Sequence, residues 1–116
     1  MAVAVQKIKK GYDSPLAVAI RYYSLMSAVG EWSLTPRQIE LMAFTAVRGT
    51  ISSGGAKETF IHTFSSSKGT LANMKALLLK RGLLVKKDGK TIVNPQVVPD
   101  FNLPILIQIQ LYAKTG

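Results

Sequence analysis

The spacing of apolar residues changes several times along this chain, and each change marks an element. Residues 2–8 (Ala-Val-Ala-Val-Gln-Lys-Ile) read as a short strand. Asp13-Ser14-Pro15 then opens a helix, with Ser14 as N-cap and Pro15 at the first helical position, where its missing N–H costs nothing. From Leu16 to about Val29 one stripe holds Leu16, Ile20, Tyr23 and Ser27, and Gly30 ends the helix. Thr35-Pro36-Arg37-Gln38 is a second start, a threonine cap with glutamine three residues on, which makes a capping box. Ile39, Met42, Ala43, Ala46 and Val47 follow at i, i+3, i+4, i+7 and i+8, and Arg48-Gly49 closes that helix.

Thr50-Ile51-Ser52 fits a short strand, and Ser53-Gly54-Gly55 leads into a helix of about nine residues with Ala56, Phe60, Ile61 and Phe64 facing inward. Ser65-Ser66-Ser67 forms a turn, and a further helix runs from about Lys68 to Arg81, stopped by Gly82. The period then becomes that of strands. Leu83–Lys87 and Lys90–Val93 flank Asp88-Gly89, a two-residue turn whose members tolerate positive φ, so residues 83–93 form a β-hairpin. Asn94-Pro95 ends it. After a loop with Pro99 and Pro104, residues 105–112 read as a last strand with Ile105, Ile107, Ile109 and Leu111 on one face. There is no internal repeat and no low-complexity tract.

The expected class is α+β, mainly α: a winged helix-turn-helix with added N- and C-terminal strands. A chain of 116 residues fits one domain, 1–116. Its parts are a strand and helix over 2–30, the winged core over 33–94, and a loop and strand over 95–116. Hydrophobic residues make up 47% of the chain, enough to build a core without metals or disulfides. With no cysteine, zinc–thiolate sites and a thiol nucleophile are excluded. No apolar run approaches the roughly 20 residues that span a bilayer, and the start lacks a signal-peptide pattern. A soluble cytoplasmic protein is expected, with no membrane partner.

Charge alters the picture most. Fifteen Lys and Arg against six Asp and Glu give +9, a field that attracts polyanions. Seven of those cations (Lys68, Lys75, Lys80, Arg81, Lys86, Lys87, Lys90) lie in one stretch that holds a single acid, Asp88.

From Ser66-Ser67-Lys68-Gly69-Thr70-Leu71-Ala72-Asn73-Met74 through Leu77-Leu78-Leu79-Lys80-Arg81-Gly82-Leu83-Leu84, the chain resembles the recognition-helix-to-wing segment of the winged-helix superfamily. Regulators of the MarR type and plasmid or phage replication initiators share that cadence. The resemblance spans about half the chain, and the whole also looks like small winged-helix proteins of tailed bacteriophages, which adds the host cytoplasm or a virion as the expected location. It implies a DNA-binding protein of the transcription or replication regulator type.

The residues support that expectation on their own chemistry. A helix fits the major groove, where Ser66, Ser67, Lys68, Thr70 and Asn73 are apt types at its start, with Lys75 and Lys80 further along. Lys86, Lys87 and Lys90 on the hairpin would meet phosphates of duplex DNA. On a helical wheel, Leu71, Met74 and Leu78, widened by Leu77, form the buried side. The opposite side shows Gly69, Ala72, Asn73, Ala76 and Lys80, smaller and plainer than a base-reading face usually is. Shape-based binding fits that face better than strict base readout.

Other chemistry finds less support. His62 has no partner histidine or cysteine for a metal, and the serines lack a nucleophile-elbow pattern. Gly54-Gly55-Ala56-Lys57 lacks the spacing of a phosphate-binding loop and reads as a helix entry. The six acids are scattered, so no catalytic pair, cofactor or enzyme activity is expected. Trp32, Tyr22 and Tyr23 read as packing residues. The alternative function is a structural or assembly protein, such as a virion or ring subunit. It would use the fold for packing and self-associate through residues 2–8 and 105–112. RNA binding is a third possibility, for which no exposed aromatic pair speaks.

Overall fold

A computed structural model describes residues 2–30 and 32–115. In chain order it holds helices α1 (Pro15–Val29), α2 (Pro36–Arg48), α3 (Gly54–Thr63) and α4 (Lys68–Lys80), then strands β1 (Leu84–Lys87) and β2 (Lys90–Val93) and a 3-10 turn at Pro95–Val97. The class is therefore α+β and mainly α, with one two-stranded antiparallel sheet among the described residues.

Each helix starts where its capping chemistry dictates. The hydroxyls of Ser14, Thr35, Ser53 and Ser67 accept backbone N–H groups from Ala17, Gln38, Ala56 and Thr70. At α2 the box is reciprocal, because the Thr35 N–H donates to Gln38 Oε1 at 2.9 Å. Gly49 ends α2 in the left-handed region at φ 100°, and its N–H donates to the Thr45 carbonyl.

Helix α2 is the centre of the fold. Leu41, Met42, Ala43, Phe44 and Thr45 are buried in succession, which one helix can achieve only when neighbours cover several of its faces. Helix α1 packs on one side through Ala19 and Tyr23, and α3, α4 and β2 close the others. An aromatic group of Tyr22, Tyr23, Trp32 and Phe101 ties the chain after the hairpin back to α1. Tyr23 is wholly buried, yet its hydroxyl donates to the Val97 carbonyl at 2.7 Å. Burial, and to a lesser degree Tyr22, raises its pKa well above the ordinary range.

Four expectations are corrected. Residues 2–8 and 105–112 form no strand; both run without secondary structure, and Ile8, Leu106 and Leu111 are 83%, 91% and 86% exposed. Alternation describes side chains, whereas a strand needs a hydrogen-bonded neighbour, and the described residues supply none for either segment. Ile105 still packs against the core. The projecting arms raise the radius of gyration to 15.9 Å, against about 13 Å for a compact chain of this length. Thr50–Ser52 is likewise not a strand, although the Ile51 N–H donates to the Thr91 carbonyl at 3.1 Å. Leu77 does not widen the buried side of α4 but stands 43% exposed.

Thr45 Oγ1, buried on α2, makes no hydrogen bond among the described residues. Replacing Thr45 by valine keeps the shape and removes an unsatisfied hydroxyl. Thr45→Val should thus stabilise the protein by about 1–2 kcal/mol, read as a higher urea midpoint at unchanged m-value; an unchanged or lower midpoint would show that the hydroxyl has a partner in solution.

Candidate nucleic-acid interface

The candidate surface is built by α4 and the hairpin. Asp88 and Gly89 both take positive φ, 53° and 76°, which turns β1 back on β2 with the right-handed twist strands prefer. The register pairs Leu84 with Val93, Val85 with Ile92, Lys86 with Thr91 and Lys87 with Lys90. Directly opposed residues share a face. Leu84, Thr91 and Val93 are buried, so their face is the inner one and Lys86 lies on it. Lys87 and Lys90 lie together on the outer face. Like charges directly opposed weaken a strand pair, and the ion pair found among the described residues, Arg37–Glu40, involves neither.

On α4, Lys68, Gly69, Thr70, Ala72, Asn73, Ala76, Leu77 and Lys80 are exposed, and Leu71, Met74 and Leu78 are buried. Lys75 is half-buried on the flank beside Leu71 and Leu78. Its pKa is lowered, first by burial and then by the nearby charges of Lys57 and Lys86. Lys57 lies on α3, outside the segment that composition singles out. Packing of α3 on α4 brings it in, and no local signal announces it.

The three serines of the turn differ. Ser67 Oγ is engaged as the cap, accepting from the Thr70 N–H and donating to Thr70 Oγ1 at 2.9 Å. Ser66 Oγ is buried and unpartnered, so in this structure it does not reach the surface with Lys68, Thr70 and Asn73. Ser65 takes φ 52° and reverses the chain between the helices. The arrangement thus brings Lys68, Thr70, Asn73 and Lys80 to one exposed helix and Lys86, Lys87 and Lys90 to the adjoining hairpin, with Arg81 at the C-cap between them.

This surface can do electrostatic work. No three His, Asp or Glu residues among those described are grouped to hold a metal. No helix of the described residues is long and apolar enough to cross a membrane. The chain matches no family model, no curated protein and no solved structure.

Lys75 gives this charge arrangement a readout. A lysine whose folded-state pKa is depressed costs stability while charged in both states, and the cost fades as pH rises through the folded-state value. Lys75→Gln should raise the melting temperature at neutral pH, with the gain shrinking towards alkaline pH. A gain that is absent, or constant with pH, would contradict the crowding of cations around Lys75.

Proposed function

We propose that this chain is a DNA-binding protein of winged helix-turn-helix type, acting as a transcription or replication regulator. Helix α4 enters the major groove by its N-terminal half, and the hairpin is the wing that follows the backbone. One observation carries the reading: α4 and the hairpin concentrate exposed cations without acidic partners, including Lys87 and Lys90 opposed across the strands. That pairing is unfavourable in the free protein and becomes useful beside a row of phosphates.

The mechanism is phosphate contact first and base contact second. Gly69, Ala72 and Ala76 leave the exposed face of α4 low and smooth, so the helix can approach a groove closely but reads few bases. Asn73 is the side chain there suited to an adenine edge, and Leu77 offers an apolar surface to a thymine methyl group. Binding of this kind depends on salt and on groove shape more than on sequence.

Fluorescence anisotropy of a labelled duplex, titrated at several salt concentrations, tests the proposal. The wild type should bind with a steep negative log–log salt slope. Replacing Lys86 and Lys87 together by glutamate should weaken binding and flatten the slope, by roughly 0.9 for each phosphate that the variant no longer neutralises. Equal affinity and slope for both proteins would remove the hairpin from the interface.

A second reading, a structural or assembly subunit, is favoured by the arms. Val3, Val5, Ile8, Leu103, Leu106, Leu111 and Tyr112 are all at least 60% exposed, a large apolar surface on segments that a neighbouring chain can order by strand pairing. Sedimentation velocity separates the two. Oligomers that disappear on deleting residues 103–116 would favour assembly, and a monomer at high concentration would oppose it.

A further inference from the structure

Beside α2 the surface holds a groove with almost no charge. One hollow, of about 320 Å³, lies between the C-terminal end of α2 and β2, with Ala46, Ile92 and Val98 in its lining. A second, of about 220 Å³, continues along α2 to Val47 and Phe101 and shares Ala46 with the first, so the two meet. Val47 and Val98 stand 43% and 36% exposed. Asp100 is the single charged residue lining either hollow among the described residues.

The C-terminal arm has the matching character. Residues 103–115 carry one charge, Lys114, in a chain whose net charge is +9. The arm leaves from the rim of the groove, which Asn102 lines. Ile105 packs against the core of its own chain, whereas Ile109 and Leu111, at later alternate positions, are 42% and 86% exposed. To enter the groove of the same chain, Ile109 and Leu111 would have to double back across the stretch from Pro95 to Asn102 that already lines it. The arm of a second copy meets no such constraint. Charge selects the same contact, because two copies at +9 repel each other except where neutral surface meets neutral surface. The exceptions in groove and arm, Asp100 and Lys114, have opposite signs.

We propose that the groove beside α2 receives the C-terminal arm of a second copy of this chain, with Ile109 and Leu111 as the inserted residues. Reciprocal exchange of two arms closes the assembly at a two-fold dimer. The groove takes no residue of α4, so the inference goes beyond the DNA-binding reading and does not depend on it. It deepens the assembly reading by naming the surface on which the arm rests.

Sedimentation velocity of the full chain over a range of concentrations tests it, with two double variants. Ile109→Asp/Leu111→Asp alters the arm and Val47→Glu/Val98→Glu alters the groove, all at exposed positions. Two added acids lower the net charge from +9 to +7 in either variant, so a loss of association does not come from greater repulsion between copies. The wild type should dimerise, each variant alone should associate at least tenfold more weakly, and an equimolar mixture of the two should form a heterodimer through the one intact arm and the one intact groove. Groove-variant dimers as stable as the wild type, with the arm variant monomeric, would show that the arms pair with each other; that would overturn the groove as the seat and leave the assembly reading standing. A wild type that stays monomeric at high concentration would overturn both and leave DNA binding untouched.

Discussion

The attachment of Thr91 to the chain before α3 is the contact on which the arrangement of this protein depends. A two-stranded hairpin is marginal in water on its own. Here β2 is held by the Ile51 N–H and the Thr50 hydroxyl, both donating to the Thr91 carbonyl, and by the Thr91 N–H donating to Ser52 Oγ. Thr91 is 1% exposed, so these bonds are shielded from competing water. Leu84 and Val93 add apolar burial on the same face. The hairpin backbone therefore has one orientation relative to α3 and α4, and the positions from which Lys86, Lys87 and Lys90 project are set beside the helices.

That rigidity explains how a surface unfavourable to itself persists. Opposed Lys87 and Lys90, and the crowding of Lys75 by Lys57 and Lys86, each act against the folded chain. The core around α2 offsets the cost: Leu41, Met42 and Ala43 are wholly buried, and Phe44, Phe60 and Phe64 pack with ring centroids 5.0–6.3 Å apart. Under the proposed DNA-binding function, a polyanion would convert the same repulsions into binding energy. The projecting arms differ in kind, since what they expose is apolar surface rather than charge.

Most of the architecture was legible because it is local. Caps at Ser14, Thr35, Ser53 and Ser67, the left-handed Gly49 and the Asp88-Gly89 turn are set by residues within a few positions of each other, and the helices and hairpin fall where that chemistry puts them. What failed was non-local. The alternation of 2–8 and 105–112 carries no information about a partner strand, and none is present among the described residues. The apolar character of Leu77 does not reveal that no element covers that side of α4. For the candidate surface, Lys68, Lys80, Lys86, Lys87 and Lys90 were visible as a charge run, whereas Lys57 enters through helix packing alone and Ser66 leaves through burial of its hydroxyl.

In the proposed function, α4 and the hairpin form one DNA-contacting face. Mapping backbone amide chemical shifts of the full chain as a short duplex is added tests it most directly. The account predicts shifts clustered in residues 67–76 and 84–92, with the amides of α1 unmoved. Shifts confined to α1 or to the arms, or no shifts at low salt, would contradict it.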